Sequence, residues 1–277
     1  MQNMLPKAEM IIRSGFFFGS LIILSLWEWL APRRHLTVSK VKRWINNIAI
    51  IFINSLIIRL LFPAALVGFA YYEQQQHYGL FNLVTINYWA AVILSVVLLD
   101  FTIYLQHVMF HAIPIFWRIH SMHHVDLDID VTTGIRFHPI EILISLFIKF
   151  GAVTLIGAPI LAIIIFEVLL NAITMFNHSN IRMPIIIDNL IRKIIVTPDM
   201  HRVHHSDIPH ETNSNFGFNL SIWDRLCGTY KDQPSLGHEN MVIGIKEIRD
   251  PKYCINLLGM LVLPFIKGKS NYPLNRQ

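Results

Sequence analysis

The chain has 277 residues, of which 53% are hydrophobic and only 15% charged, and its formal net charge is +5 at pH 7. A soluble domain has about 25% charged residues, so the composition excludes an ordinary water-soluble protein and favours one embedded in a membrane. Its two cysteines are too few for a disulfide framework or a cysteine-rich zinc site. No nucleic-acid partner is expected, because the basic segment 31–44 lies between two apolar stretches, as membrane-anchoring segments do.

Apolar segments long enough to cross a bilayer core, about 20 residues, recur along the chain. The first covers residues 14–32 and is expected to be retained, because no small-residue cleavage site follows it. The second and third cover 45–70 and 88–110. The apolar stretch 140–177 is broken by Gly-Ala-Pro at 157–159, which predicts a hairpin of two further spans. The sequence therefore predicts four to five transmembrane helices.

The connecting segments predict how these spans are oriented. Residues 71–87 contain no Lys or Arg, which is typical of a non-cytoplasmic loop, whereas 31–44 is strongly basic and indicates the cytoplasmic side. Counting spans from the basic segment places residues 111–139 and 178–253 in the cytoplasm. Both of these segments contain arginines, so the span count and the positive-inside rule agree.

Together these segments predict one all-α integral membrane domain over residues 1–277. Its transmembrane parts are 14–110 and 140–177, and the two cytoplasmic segments form a helical cap. Residues 255–266 are too short to cross and predict an interfacial or buried helix. A bacterial inner membrane is the expected location, since the final segment 272–277 has no retrieval signal.

The histidines, 14 in all, are concentrated in three spaced motifs. His107 and His111 form His-x-x-x-His at the end of the third span, and residues four apart share one face of a helix. His-x-x-His-His then occurs twice, at 120–124 and at 201–205. Adjacent histidines of such a motif point about 100° apart around a helix, so each motif can serve two neighbouring points.

These eight imidazoles predict a two-metal site in the cap. Neutral histidines packed together leave polar groups unpaired and protonated ones repel each other, whereas a metal ion binds the neutral ring nitrogen. Eight ligands are too many for one ion and suit two ions with open coordination positions. Imidazole suits iron, zinc and copper alike, while a structural zinc site is closed by four ligands that usually include Cys. Iron is therefore the expected metal, although the spacing leaves the choice open.

Residues 95–232 resemble the fatty acid hydroxylase/sterol desaturase superfamily, whose members are integral-membrane, non-haem di-iron oxygenases. Six motifs carry the resemblance in order: "HVMFH" (107–111), "HSMHH" (120–124), "RFHPIE" (136–141), "FNHSN" (176–180), "TPDMHRVHH" (197–205) and "NFGFNLSIWDRLCGTY" (215–230). Cys227 departs from the family pattern, in which Phe is commoner, and this difference is expected to affect packing only.

The resemblance implies which residues bind two iron ions. Eight are the histidines of the three motifs: His107, His111, His120, His123, His124, His201, His204 and His205. His178 matches a further family histidine between the second and third boxes. His138 matches one that some branches of the family lack, and its alternative role is to anchor the loop beside Pro139. No catalytic residue apart from the metal ligands is expected.

Several other residues are expected to support the site. Ligating histidines commonly donate their second ring N–H to a carboxylate or a carbonyl, and Asp199, Asn219 and Asp224 are the candidates for this role. Asp100, in the third predicted span, is expected to be structural, either by pairing with Arg59 or by orienting a ligand.

By the same resemblance, the protein hydroxylates or desaturates a C–H bond of a membrane lipid. The co-substrate is O2 and the cofactor is two iron ions, for which zinc can substitute in a purified sample. The chain has no Gly-x-Gly-x-x-Gly motif and no cysteine cluster, so a separate electron donor is implied, a ferredoxin or cytochrome b5-like carrier with its reductase. Two rival interpretations are a membrane metal transporter and a structural membrane protein with a zinc cap. The identity of the lipid is left open.

Overall fold

The structure is a computed structural model that describes residues 5–62 and 65–266. In this part of the chain the regular structure is helical, with isolated β-bridges and no strand. The α-helices are α1 (Leu5–Leu30), α2 (Lys40–Leu61), α3 (Ala65–Gln75), α4 (Leu80–Leu83), α5 (Tyr88–Ala112), α6 (Pro114–His124), α7 (Pro139–Ile156), α8 (Ile160–His178), α9 (Ile185–Ile191), α10 (Pro198–His204), α11 (Pro209–Thr212), α12 (Ile222–Leu226), α13 (Gly237–Asn240), α14 (Pro251–Cys254) and α15 (Leu257–Val262). Two 3-10 turns cover Thr133–Ile135 and Leu263–Phe265.

Five helical segments of the described chain are long and apolar enough to cross a membrane: Met10–Leu30, Lys40–Leu83, Tyr88–Ala112, Pro139–Ile156 and Ile160–His178. Large apolar side chains such as Phe18, Phe52 and Leu155 are exposed on their outer surfaces. Extensive exposed apolar surface of this kind is what a lipid environment requires. The predicted all-α membrane architecture is confirmed, with five candidate spans.

The second predicted span, 45–70, lies within the candidate span Lys40–Leu83, in which the structure describes more than one helix. Helix α2 ends at Leu61 and α3 begins at Ala65. Phe62 has left the α-helical region, with φ −135° and ψ 68°, as is expected of the residue before a proline. The predicted apolar character of the segment is confirmed.

The predicted reversal at 157–159 is confirmed. Gly157 has a φ of +69°, a left-handed conformation that ends α7 and that glycine adopts without strain. Its backbone packs directly on Gly79, where there is no room for a Cβ atom. Two glycines therefore close the end of the α7–α8 hairpin that lies away from the histidines.

Helix α1 runs parallel to α8 and is attached to it by polar contacts along its length. Arg13 and Glu167 form an ion pair of 2.9 Å. Near the other end, the carboxylate of Glu28 accepts a hydrogen bond of 2.8 Å from the backbone N–H of Asn180. Because Asn180 directly follows α8, this contact aligns the end of α1 with the end of α8.

The cap consists of residues 113–138 and 179–266, and a buried ionic cluster attaches it to α2. The guanidinium of Arg43 donates two hydrogen bonds to Asp126, of 2.7 and 2.8 Å, one of 2.5 Å to Asp130 and one of 3.0 Å to Thr133 Oγ1. Arg43 and both carboxylates are fully buried. A buried charge needs such partners, so these contacts fix the cap in one position on the membrane helices.

The segment after residue 255 forms a short helix with one buried and one exposed face, so it is compatible with both forms predicted for it. Met260 and Leu263 are buried in an apolar cluster around Trp117, while Leu258 on the same helix stays exposed. The segment thus covers the underside of α6, which carries three of the motif histidines.

Candidate metal centre

Four separate helices bring nine histidines into one buried cluster. The end of α5 supplies two, α6 supplies three, the last residue of α8 supplies one, and α10 with its C-terminal cap residue supplies three. They form two groups, His107, His111, His120, His124 and His204, and His123, His178, His201 and His205. Within each group the candidate ligand nitrogens all lie within 4.8 Å of one another. The groups are adjacent, since the rings of His124 and His205 are 4.7 Å apart.

Six of these rings direct Nδ1 at an oxygen atom outside the cluster. The pairs are His107 with Phe216 O (2.8 Å), His111 with Asn213 Oδ1 (3.2 Å), His120 with Glu141 Oε1 (2.7 Å), His123 with Arg136 O (3.2 Å), His178 with Thr174 O (2.7 Å) and His204 with Ser214 O (2.6 Å). Carbonyl and carboxylate oxygens can only accept, so Nδ1 carries the hydrogen in each pair. A neutral ring then has a bare lone pair on Nε2, and that atom faces the cluster.

The inward nitrogens approach one another closely. The Nε2 atoms are 3.1 to 3.2 Å apart in the pairs His107–His120, His111–His124, His120–His124, His123–His178 and His178–His201. In the pairs whose two rings both carry their hydrogen on Nδ1, the lone pairs of the two Nε2 atoms face each other with no proton between them. His204 Nε2 and both nitrogens of His205 are buried and have no hydrogen-bond partner among the described residues. A cation at the centre of each group would satisfy all of these lone pairs, so the residues present fit a pair of metal ions.

The surroundings keep the clustered rings neutral. Burial, followed by the neighbouring imidazoles, lowers the pKa of His123, His124, His201, His204 and His205 well below the ordinary value of 6.5. Metal binding requires the neutral ring. These rings are therefore in the binding-competent form at neutral pH.

Aromatic side chains enclose the cluster. Trp117 lies 4.7 Å from the ring of His111, Phe137 stacks on His123 at 4.6 Å, and Phe218 lies 4.9 Å from His107. Trp117 is fully buried. The cluster is thus separated from bulk water by apolar rings, which strengthens electrostatic interactions inside it.

Residues 92–229, about half of the chain, match the fatty acid hydroxylase family, and this segment contains all nine clustered histidines. The chain belongs to the fatty acid hydroxylase family. The resemblance found in the sequence motifs is thereby confirmed.

Two kinds of curated relative illustrate the family. The ornithine lipid hydroxylase OlsE of Rhizobium tropici is 33% identical over 143 residues, which are 52% of this chain and 42% of that protein. The alkylglycerol monooxygenase of Xenopus tropicalis is 32% identical over 47% of this chain and 28% of its own length, and that of Homo sapiens is 29% identical over 61% and 36%. The matches thus cover less than half the length of these relatives. No solved structure matches the chain significantly.

His138 is the one predicted ligand that the structure does not bring to the cluster. Its Nδ1 accepts a hydrogen bond of 3.1 Å from the backbone N–H of Ile140, and its Nε2 donates one of 3.1 Å to the carbonyl of Leu261. Both ring nitrogens are therefore in use, and the residue caps the start of α7. This geometry matches the alternative interpretation, in which His138 anchors the loop beside Pro139.

The predicted acceptors for the family histidines have different partners. Asp199 pairs with Arg202 and, at 3.3 Å, with Arg33, because two buried or half-buried guanidinium groups compete for it. Among the described residues, neither Asp199 nor Asn219 hydrogen-bonds to a clustered histidine. Asp224 acts indirectly. Its carboxylate accepts a hydrogen bond of 2.7 Å from the backbone N–H of Phe216, and the carbonyl of Phe216 accepts one from His107.

Asp100 has the expected structural role but a different partner. Its carboxylate accepts hydrogen bonds from the indole N–H of Trp223 (2.8 Å) and from the backbone N–H groups of Asn219 (3.3 Å) and Leu220 (3.2 Å). It neither pairs with Arg59 nor orients a clustered histidine. Asp100 instead fixes the segment around Trp223 against the side of α5.

Two acceptors were missed by the sequence-based predictions. Glu141 lies inside the "RFHPIE" motif, so the motif itself offered a signal: a carboxylate in the first turn of α7. Asn213 offered none, because only folding of the chain brings the loop after α11 to the end of α5. Both orient the histidines that they accept from, in the way that such partners orient metal ligands.

The contact between Glu141 and His120 supports a direct test. Replacing Glu141 with leucine is expected to lower metal affinity about 10–100-fold, since partners of this kind contribute that much. Replacing it with glutamine, which keeps an acceptor oxygen at the same place, should retain most of the affinity. Metal titration of the purified variants measures the difference, and a leucine variant that binds like the unaltered protein would contradict the assignment.

Close packing at Gly134 supports a second test, on the other group. A Cβ atom on Gly134 would lie 2.6 Å from the carbonyl oxygen of Thr174, the atom that accepts from His178. Gly134→Ala is therefore expected to cost about 1–3 kcal/mol of stability, as overpacking does, and to lower metal occupancy by shifting that carbonyl. Unfolding in detergent and metal analysis measure both effects.

Gly151→Ala is the matched control for this variant. No heavy atom lies within 4 Å of a Cβ atom placed on Gly151, in the middle of α7. Alanine there should stabilise the helix by up to about 1 kcal/mol and leave metal occupancy unchanged. Equal behaviour of the two alanine variants would show that the Gly134 contact has no bearing on the site.

Proposed function

We propose that this protein is a membrane-bound, non-haem di-iron oxygenase that hydroxylates a C–H bond of a lipid with O2. The proposal rests mainly on the two adjacent, buried histidine groups. Their inward ring nitrogens face one another without protons that could form hydrogen bonds between them. Five imidazoles would hold one iron ion and four the other. When bound, iron supplies the redox chemistry by which O2 can attack an unactivated C–H bond.

The residues of this chain would prepare the site for that chemistry. The carbonyl groups of Phe216 and Ser214 and the carboxylate of Glu141 hold three ligand rings in one tautomer and orientation. Phe137 and Phe218 cover the cluster on its apolar side, so that water is excluded while an apolar substrate can approach. No acid–base residue besides the ligands is required by this arrangement.

A lipid is the proposed substrate class, and hydroxylation the proposed reaction. The relatives named above are a lipid hydroxylase and monooxygenases of alkylglycerol, and the histidine cluster lies at one end of the apolar spans. Electrons would come from a separate ferredoxin or cytochrome b5-like carrier. Exposed Arg182, on the side of the site, would suit an acidic carrier.

We propose that the whole chain is one membrane domain with the site on the cytoplasmic face of a bacterial inner membrane. Basic residues support this orientation, since Arg33, Arg34 and Arg182 all lie at the histidine end of the bundle. One relative, in Rhizobium tropici, is bacterial.

The rival functions fit the geometry less well. A transporter would need polar ligands distributed across the depth of the spans, whereas all nine clustered histidines lie at one end. A structural zinc cap would need four ligands, whereas two groups of five and four are present.

Comparative lipid mass spectrometry tests the proposal. Cells that express the protein with a reductase system should accumulate one lipid class that has gained a single oxygen atom, and the purified protein should contain iron. Loss of two hydrogen atoms instead would indicate a desaturase. Zinc in the purified protein, with no altered lipid and no O2 consumption, would favour the structural rival.

A further inference from the structure

Helix α9, in the cap, buries its acidic residue and exposes several of its apolar residues, with the polar Asn189 exposed among them. Asp188 is 1% exposed and is ion-paired with the buried Arg192. Ile186 and Leu190 are 80% and 67% exposed, and Ile185 is also exposed. A helix at a water-facing surface has the opposite arrangement, with its apolar stripe facing the core.

Helix α12 shows the same inversion. Asp224 is fully buried, where it accepts the backbone N–H groups of Phe216 and Gly217, while Ile222, Arg225 and Leu226 are exposed. Two neighbouring elements that bury an acidic residue and expose isoleucine and leucine indicate a surface that does not face only water.

The two helices form one surface. The backbone N–H of Ser221, at the start of α12, donates a hydrogen bond of 2.9 Å to the carbonyl of Ile194, just after α9. Ile195 and Leu220 form an adjacent β-bridge. This contact joins a set of exposed apolar residues, which we call the apolar ledge: Ile185, Ile186, Leu190, Ile194, Ile222 and Leu226.

The ledge is attached near the middle of a candidate membrane span. Asp100, which binds the backbone of Asn219 and Leu220 and the indole of Trp223, lies twelve residues before the end of α5 at Ala112. At 1.5 Å per residue this is about 18 Å along the helix, and a bilayer core is about 30 Å thick. The segment that holds α12 therefore lies well below the histidine end of α5.

The flanking surface is also apolar. Leu94, Leu98 and Leu105 are exposed on α5 beside this segment, so the ledge continues the lipid-facing surface of the spans. The outward-facing charges of 185–194 and of α12 are Lys193 and Arg225, residues whose long side chains can reach a phosphate from apolar surroundings. The guanidinium of Arg225 lies over the ring of Tyr230 at 3.8 Å.

We propose that the apolar ledge is immersed in the acyl chains of the leaflet on the histidine side. Helices α9 and α12 are then a re-entrant part of the membrane domain rather than part of an aqueous cap, and the sequence-based placement of all of 178–253 in water does not hold for them. The buried polar side chains of both helices form their hydrogen bonds and ion pairs inside the protein. Irregular backbone at membrane depth is tolerated only where polar groups are paired in this way. The inference rests on the membrane embedding proposed above and is independent of the oxygenase reaction.

Spin labels on the full chain in lipid nanodiscs test this placement. The exposed Cys227 is replaced by serine, the buried Cys254 is left in place, and the unlabelled background is checked for reactivity. A nitroxide is then attached at Ile186→Cys or, in a second variant, Leu190→Cys. Leu98→Cys on α5 provides the lipid reference and Lys246→Cys, on an exposed loop, the water reference.

We expect the labels at 186 and 190 to collide with O2 as the label at 98 does. The ratio of O2 to nickel-complex collisions should exceed that at position 246 by at least about fivefold, because a polar nickel complex is excluded from hydrocarbon. A water-like ratio at 186 and 190, with a lipid-like ratio at 98, would overturn the inference alone. Water-like ratios at all positions would overturn the membrane embedding as well. If the labels at 186 and 190 collided with neither reagent and showed spin–spin broadening, a second copy of the chain would cover the ledge. That result would also overturn the inference.

Discussion

Replacing His204 or His178 with alanine is expected to remove hydroxylation and to lower the iron content of the purified protein. Each residue belongs to a different group and would supply one ligand nitrogen to the ion held there. Product formation should fall more than about 100-fold, since groups that only orient such ligands already contribute about 10–100-fold. Iron analysis of the purified variants and lipid mass spectrometry of the expressing cells measure the two effects.

His138→Ala is the matched control. This histidine belongs to the same motif series, yet both of its nitrogens bond to backbone at the start of α7. Loss of this cap should cost about 1 kcal/mol of stability and leave two iron ions bound. If His138→Ala lost iron while His204→Ala kept it, the ligand set proposed from the two groups would be wrong.

Replacing Arg43 with methionine is expected to produce the largest loss of stability. The change leaves the buried carboxylates of Asp126 and Asp130 without their common cation, and breaking a buried ion pair from one side costs about 3–5 kcal/mol. Unfolding in mixed detergent micelles, followed by circular dichroism, measures this cost. Because the cluster joins α2 to the loop after α6, metal occupancy should fall with it.

Lys42→Met, the neighbouring substitution on the exposed face of α2, should change stability by less than about 0.5 kcal/mol. A combined variant, R43M with Asp130→Asn, should recover part of the lost stability, because it also removes the charge that loses its arginine, whereas Asp126 keeps Arg136 at 3.5 Å. An R43M protein as stable as Lys42→Met would show that the ionic cluster does not hold the cap in place.

The spans and the eight motif histidines could be predicted from the sequence because both depend on local periodicity. Apolar runs of membrane length and a Gly-Ala-Pro break define helices and a reversal without reference to distant residues. In the same way, histidines at i, i+3 and i+4 share a helix face wherever the helix is placed.

The supporting contacts could not be predicted in this way. Asp199 and Asp224 were reasonable acceptors by type and position, but which oxygen meets which ring depends on how loops far apart in sequence pack together. The loop at 213–216 supplies acceptors to three rings, two of them through carbonyl groups, which every residue has and which therefore leave no mark in the sequence. His138 shows the converse, since its motif suggested a ligand and its place before α7 made it a helix cap.

The sequence by itself therefore determined that this is a helical membrane protein with enough imidazoles for two metal ions. Only the tertiary structure decided that nine of them meet, that His138 does not, and that α9 and α12 turn their apolar faces outward. The sequence of the stretch "IIIDNLIRKII" does not show whether its apolar side chains face the core or the outside. Its direction is set by Asp188 and Arg192 pairing inside and by the neighbouring segment binding Asp100, contacts that exist only once the chain has folded.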